Sequence, residues 1–147
     1  MMEKLLISSC LLSISSRYDG KSKKVLSDEQ IALLNRKYQL VPFCPEIYGG
    51  LPTPRTPSER QGAEVYMKDG TRVTENYEKG ASEALLLCET LGIKKALLKA
   101  KSPSCGKGKI YDGSFTGTLK EGNGVSCERL LEKGIAVFTE DEIDKLI

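Results

Sequence analysis

The sequence predicts an α/β fold built on a doubly wound, mostly parallel four-stranded sheet with a small inserted β-hairpin. Three observations support this fold class. Four short apolar runs alternate with stretches of helical periodicity, capping residues and glycines separate these segments, and Asp69-Gly70 marks a tight turn. The 147 residues suit a single domain, spanning 1–147, with one sizeable core.

The first third of the chain predicts strand, helix and strand. Lys4–Ser9 has the length and the polar flanks of a buried parallel strand. Ser27, with Gln30 three residues later, has the form of a capping box and predicts a helix of about ten residues. Leu40–Phe43 is the second strand, and Pro42 within it indicates an edge position.

The middle of the chain predicts a long loop and then a hairpin. Residues 44–62 are rich in Pro, Gly and Thr, and a structureless segment of this length in a small domain usually has a function. Val65–Lys68 and Thr71–Val73 flank Asp69-Gly70, which is a strong signal for a two-residue hairpin turn.

The remainder continues the alternation of helix and strand. It predicts first a helix capped by Thr74 and running to about Leu91, and then a strand at Lys95–Lys99. An irregular segment over 100–123 follows, and after it a helix at Val125–Lys133. A strand at Ile135–Phe138 and a terminal helix begun by Thr139 and Glu142 complete the chain. The sheet is therefore Rossmann-like, although no G-x-G-x-x-G dinucleotide fingerprint follows the first strand.

The composition excludes several kinds of active site and indicates where in the cell the protein is located. The sequence has no histidine, which excludes Ser-His-Asp triads, Cys-His dyads and histidine-ligated metals. No apolar run is long enough to cross a bilayer, and Met1–Lys4 lacks the pattern of a signal peptide. A net charge of +2 does not indicate binding to a nucleic-acid polymer. Five cysteines, an odd number, are typical of reduced thiols and predict a cytoplasmic protein.

Two of the five cysteines have a structural interpretation. Cys88 completes an apolar stripe at helical spacing, and Cys127 lies one turn before Leu130 and Leu131 on another predicted helix. Free cysteine is among the most buried residue types, so both thiols are predicted to lie in the core.

The other three cysteines follow the predicted strands. Cys10 comes directly after the first strand, Cys44 directly after the second, and Cys105 shortly after the third. Because the carboxyl ends of parallel strands share the edge at which ligands bind, these distant thiols are predicted to meet at one site.

Three thiols without histidine suit zinc or an iron–sulfur cluster better than magnesium or calcium. Structural zinc needs a fourth ligand, which Cys88 and Cys127 are too buried to supply. A four-iron cluster with three cysteine ligands leaves one iron open and reactive. Two alternatives remain: a zinc-thiolate structural or interaction module completed by Glu46 or an outside ligand, and a cluster-free enzyme with Cys105 as nucleophile.

Long motifs in fixed order resemble the DUF523 family of bacterial proteins, whose characterised members are thiouracil desulfidases. The resemblance spans nearly the whole chain and is carried by Ser9–Leu12, Arg17–Gly20, Pro42–Arg55, Lys99–Gly113 and Phe115–Thr118. Two positions depart from the pattern of many relatives: Ser13 stands where they have glycine, and Ser16 where they have cysteine.

The resemblance implies a [4Fe-4S] cluster and the residues around it. It assigns Cys10, Cys44 and Cys105 as ligands and implies that a glutamate and a serine, Glu46 and Ser102, act on the substrate. Turn-forming roles are the alternative for both residues. We further expect Arg17, Asp19, Lys101 and Ser104 to bind substrate; the alternative for Arg17 and Asp19 is a structural pair with each other. Arg55 and the lysines near Cys105 either hold a phosphate or face water.

The expected reaction is hydrolytic removal of sulfur, as sulfide, from a thiolated uracil base or nucleotide, a small-molecule substrate. The open iron is expected to bind the substrate sulfur, with Glu46 as general base and Ser102 orienting the ring. The sequence does not distinguish base, nucleoside and nucleotide, and it specifies neither the position of the sulfur nor the oligomeric state.

Overall fold

A four-stranded parallel sheet organises the protein in the computed structural model, which describes residues 2–147. Its strands are β1 (Glu3–Ser8), β2 (Tyr38–Phe43), β5 (Lys95–Leu98) and β8 (Ala136–Thr139), in the spatial order β2-β1-β5-β8. Two antiparallel ribbons lie outside this sheet, one of β3 (Ser58–Gln61) with β4 (Glu64–Met67), the other of β6 (Lys109–Tyr111) with β7 (Leu119–Glu121).

The helices are α1 (Asp28–Lys37), α2 (Pro45–Tyr48), α3 (Thr74–Leu91) and α4 (Val125–Glu132), with 3-10 turns at Ser9–Leu12 and Glu140–Lys145. Ser27 and Gln30 form the predicted capping box at the start of α1. Gly92, with a φ of 70°, ends α3 as the sequence predicted. No helix within residues 2–147 is both long and apolar enough to cross a membrane.

Both faces of the sheet are buried, which confirms the doubly wound, Rossmann-like fold. Successive residues of β1 point to opposite faces, so Leu6 packs with Ala84 and Leu130 of α3 and α4, and Leu5 packs with Leu34 of α1. A third buried cluster lies beneath the β3–β4 ribbon. The sheet therefore reverses its winding between β1 and β5, and the crevice at such a switch point is where ligands bind in this architecture.

Some local predictions differ from the structure. The inserted hairpin is present, but its paired strands are β3 and β4, and the segment after Asp69-Gly70 joins β4 only through an isolated Tyr66–Arg72 bridge. Thr74 does not cap α3; its hydroxyl accepts the Val65 N–H of the neighbouring ribbon instead. The segment predicted to be irregular over 100–123 contains β6 and β7. The terminal helix is a 3-10 helix.

The edge position of β2 is confirmed, because only β1 pairs with it. The strand begins at Tyr38, earlier than predicted, and the buried Tyr38 hydroxyl donates to the carbonyl of Leu146. Pro42 is tolerated because an edge strand needs hydrogen-bond partners on one side only.

Candidate metal centre and substrate site

Three cysteines from three strand ends line one cavity of about 630 Å³ at the carboxyl edge of the sheet. Cys10 lies in the 3-10 turn after β1, Cys44 immediately precedes α2, and Cys105 lies in the loop after β5. Their convergence agrees with the prediction from strand order. Cys88 and Cys127 lie in the hydrophobic core, as their helical spacing indicated.

Cys105 is the most enclosed of the three thiols, with 4% of its surface exposed. The hydroxyls of Ser8 and Ser104 lie 3.6 and 3.5 Å from its sulfur, and its backbone N–H donates to Ser102 Oγ. Burial raises the pKa of the Cys105 thiol to about 12.

The loop that carries Cys105 is held by the first turn of α4. Gly124, Val125 and Ser126 donate their backbone N–H groups to carbonyls at 106, 103 and 104, at distances of 2.7 to 2.9 Å. Gly124 has no side chain to separate the two segments, and a Cβ at this position would collide with the Ser104 carbonyl. The helix thereby satisfies its own free N–H groups and fixes the Cys105 loop at the same time.

Cys10 and Cys44 are half-buried. Burial raises the pKa of the Cys10 thiol to about 11, and the neighbouring Cys44 acts in the same direction. Burial also raises the pKa of Cys44, whose sulfur lies 3.9 Å from the carbonyl oxygen of Ser16. Cys10 and Cys44 also act to raise the pKa of Cys105, after the larger effect of burial.

Glu46 projects from α2 into the same cavity and is held by three donors. Arg55 Nε and the Tyr77 hydroxyl donate to Glu46 Oε1 at 3.1 and 2.9 Å, and the Ser104 hydroxyl donates to Oε2 at 3.0 Å. The turn-capping interpretation of Glu46 is therefore wrong, because its carboxylate is directed toward the site.

Arg55 is a structural partner of Glu46 and not a surface cation. Its side chain is 3% exposed, and it donates to Glu46, to the Ser16 and Pro52 carbonyls, and to the Thr53 hydroxyl. These contacts exclude the expectation that Arg55 faces water. The sequence offered no sign that Arg55 and Tyr77 meet at Glu46, because the three residues belong to different elements.

Close helix packing positions Cys44 and Glu46. Gly80 of α3 lies against Pro45, and Gly49, directly after α2, lies against the Asn76 backbone. A Cβ on either glycine would collide with a main-chain carbonyl, so any larger residue would push α2 off α3.

The other residues that were predicted to act on or bind the substrate differ in burial and in their position relative to the cavity. Ser102 is half-buried and Ser104 is buried, and their hydroxyls lie 3.3 Å apart. Arg17 lines the cavity and pairs with Asp19 at 3.1 Å, whereas Asp19 does not line it. Lys101 lies at the cavity with a φ of 71°.

The lysines divide into two groups. Lys107 pairs with Glu142 and Lys109 with Glu121, so neither contributes free charge to the site. Within residues 2–147, by contrast, Lys23, Lys68 and Lys101 line the cavity with no carboxylate at ion-pair distance. The mouth of the cavity is therefore positively charged.

The geometry argues against both alternative chemistries. No three Cys, Asp or Glu side chains among residues 2–147 come close enough to hold one metal ion, as a zinc site requires. A catalytic thiolate needs an exposed thiol of lowered pKa, and Cys105 is buried with a pKa of about 12.

An iron–sulfur cluster fits the residues that are present. Cysteine sulfurs are its usual ligands, and a cluster is larger than one ion, so its ligands can surround a cavity without touching one another. The Ser8 hydroxyl beside Cys105 is a suitable donor to thiolate sulfur.

The fold and site define a Rossmann-like α/β protein in which three cysteines line one cavity beside a firmly held carboxylate. The chain belongs to the 2-thiouracil desulfurase family, which matches residues 5–142. A solved structure of the [4Fe-4S]-dependent thiouracil desulfidase TudS superposes with a TM-score of 0.92 at 46% identity, over 98% of this chain and 95% of that one. The Bacillus subtilis (strain 168) protein YbbK is 35% identical over 97% of this chain and 99% of its own length.

Proposed function

We propose that this protein is a [4Fe-4S]-dependent desulfidase that removes sulfur, as sulfide, from thiolated uracil bases or nucleotides. The observation that carries the proposal is the meeting of Cys10, Cys44 and Cys105 at one cavity with a carboxylate held by three donors. Family membership and the likeness to TudS support the same reaction.

The overall reaction is a hydrolysis. Water adds to the thiocarbonyl carbon, a C–O bond forms, the C–S bond breaks, and sulfur leaves as hydrogen sulfide with both protons of the water. No electrons enter or leave. When held by Cys10, Cys44 and Cys105, a [4Fe-4S] cluster supplies a sulfur-binding Lewis acid through its one iron without a cysteine ligand.

Glu46 is the proposed general base, and its contacts indicate which oxygen acts. A carboxylate oxygen has two lone-pair sites, and both sites of Oε1 are taken by Arg55 and Tyr77. Oε2 accepts only from Ser104, so it keeps one site for a proton from water. Burial raises the pKa of Tyr77 well above its usual value, so its hydroxyl remains a donor.

The two serines have distinct proposed roles. The Ser104 hydroxyl donates to Glu46, whereas Ser102 accepts the Cys105 N–H and its own proton faces only the longer 3.3 Å contact to Ser104 Oγ, from which it can turn to a substrate. Ser102 is therefore the serine that orients the substrate ring. Arg17, held by Asp19, and Lys101 are proposed to bind the rest of the substrate.

The lysines at the cavity mouth favour an anionic substrate. Lys23, Lys68 and Lys101 attract a phosphate more strongly than a neutral base, so a thiolated uridine nucleotide should have the lower KM. We also propose a cytoplasmic location, because the reaction needs reduced thiols and the cytoplasm keeps thiols reduced.

The test is to reconstitute the protein without oxygen and to measure sulfide release from 2- and 4-thiouracil and their nucleotides. Cys10→Ala, Cys44→Ala and Cys105→Ala should each lose iron, labile sulfide and activity, whereas the matched Cys88→Ala and Cys127→Ala variants should keep the cluster. Inertness of the wild-type protein toward the whole panel, with an intact cluster, would contradict the proposed function. Metal-independent activity in the first two variants would contradict the role of the cluster.

A further inference from the structure

Glu59 is a buried carboxylate in the cavity wall that the proposed mechanism does not use. It lies on β3, is 9% exposed, and has no lysine or arginine at ion-pair distance within the described residues 2–147. Its Oε1 instead accepts the backbone N–H groups of Gly113 and Phe115, at 2.9 and 3.0 Å. One side chain of the inserted ribbon thus holds the loop between β6 and β7.

That loop, residues 112–118, is further closed by its own contacts. Asp112 donates its N–H to the Thr118 carbonyl, and the hydroxyls of Ser114, Thr116 and Thr118 form a chain with spacings of 2.6 and 2.8 Å. The Gln61 amide donates to the Gly113 carbonyl from the same ribbon as Glu59. The 112–118 loop is therefore fixed in shape.

Phe115 takes a costly conformation at the centre of this loop. Its φ is 57°, in the left-handed region that disfavours every residue with a Cβ. Phe115 lines the cavity and belongs to none of the three hydrophobic clusters formed within residues 2–147. Core packing therefore does not explain why phenylalanine, and not glycine, occupies this position.

We infer that Phe115 is a stacking surface for the planar ring of the substrate, and that Glu59 is the residue that positions it. This inference rests on the proposed function, since a thiolated uracil is the planar ligand. Aromatic side chains stack on nucleobases through their flat faces. Backbone strain held at a binding site by neighbouring hydrogen bonds is a recognised way to preorganise a contact.

The test compares KM, kcat and iron content for substitutions at both residues in the anaerobically reconstituted protein. Phe115→Leu removes the flat ring and should raise KM for thiouracil about tenfold, with kcat and iron content less affected. Phe115→Tyr keeps the ring and should restore most of the affinity. Leu86→Ala, exposed on α3 and not part of the cavity lining, is the control and should leave KM unchanged.

Two further variants separate a positioning role from a structural one. Glu59→Ala should raise KM as Phe115→Leu does, and the double variant should be no worse than either single one, because Glu59 acts through Phe115. Phe115→Gly relieves the backbone strain, so it should lose affinity for the product uracil, measured by calorimetry, without lowering the melting temperature.

The outcomes distinguish this inference from the proposed function. Wild-type inertness toward all thiouracils would contradict the function itself. Wild-type activity combined with an unchanged KM in Phe115→Leu, or with additive losses in the double variant, would contradict only the stacking role. A fall in melting temperature for Phe115→Gly would mean that Phe115 supports the fold.

Discussion

Arg55 directs four hydrogen bonds from one buried guanidinium, and this geometry makes the residue hard to replace. Its Nε reaches Glu46, its Nη2 reaches the Ser16 carbonyl, and Cys44 lies near the same carbonyl. The planar guanidinium of Arg55 therefore links Glu46, the proposed base, to Ser16, whose carbonyl lies beside the proposed ligand Cys44. Lysine has the same charge but cannot reproduce this geometry.

We therefore expect Arg55→Lys to lower kcat at least about tenfold while iron content is kept, because Glu46 loses its orientation. Steady-state sulfide release is the measurement. Arg72→Lys, in an exposed ion pair with Glu64, is the control and should have wild-type activity. In a Glu46→Gln background, Arg55→Lys should cause little further loss; a full additional loss would show that Arg55 acts elsewhere.

At the residue scale, sequence reasoning brought Glu46 and the three cysteines to one cavity but did not predict their contacts, and it included Asp19, which does not line that cavity. Glu46 and the three cysteines were found because each lies beside a strand end or within a family motif. Tyr77 and Glu59 were assigned no role, and Arg55 was expected to hold a phosphate or to face water, because their contacts depend on how the inserted segment folds back across α3 and the 112–118 loop.

At the scale of single elements, the 3-10 turn that carries Cys10 ends in a strained residue. Ser13 has a φ of 64°, and its N–H donates to the Cys10 carbonyl. Glycine at this position would avoid the steric cost that serine bears here. The departure from the family pattern thus has a local physical consequence for stability.

We expect Ser13→Gly to stabilise the fold by about 1 kcal/mol, measured by denaturant unfolding. The reciprocal control is Gly92→Ser, after α3, where φ is 70° and no atom crowds the added side chain. Gly92→Ser should lower the free energy of unfolding by a similar amount. Destabilisation by Ser13→Gly would mean that the serine side chain makes a contact worth more than the strain.

The contact between α2 and α3 gives a second prediction at this scale. In an unconstrained helix, Gly→Ala stabilises by up to about 1 kcal/mol. At Gly80 the added methyl group would meet the Pro45 carbonyl, so we expect Gly80→Ala to destabilise by about 1–3 kcal/mol and to lower iron content. Lys79→Ala, exposed on the same helix, should change neither quantity. A gain in stability from Gly80→Ala would disprove the close approach.

The sequence predicted the central strands and helices well because burial and capping specify them locally. It missed α2 and β3, which lie in the segment expected to lack regular structure, and β6 and β7, which have only three residues each. These short strands form because tertiary pairing stabilises them, and intrinsic strand propensity contributes little.

For the molecule as a whole, most of the core lies apart from the site. The two main hydrophobic clusters lie on the faces of the sheet, and of the three proposed ligands only Cys105 belongs to one of them. This arrangement differs from small zinc domains, in which metal binding is the source of folding free energy.

We therefore expect removal of the cluster by chelation to abolish activity while the far-ultraviolet circular dichroism stays close to that of the loaded protein. The melting temperature should fall, because a bound cofactor stabilises only the folded state. Reconstitution with iron and sulfide should restore both properties. Loss of the helical signal on chelation would show that the fold depends on the cofactor.

The hydrogen bonds from the start of α4 to the Cys105 loop also affect how the protein matures. The proposed ligands are spread over most of the chain, and the last of them is fixed by N–H groups of residues 124–126. A nascent polypeptide on the ribosome cannot assemble this binding geometry until that helix has emerged. We therefore expect iron and sulfur to be delivered only after residues 124–126 have packed against the Cys105 loop.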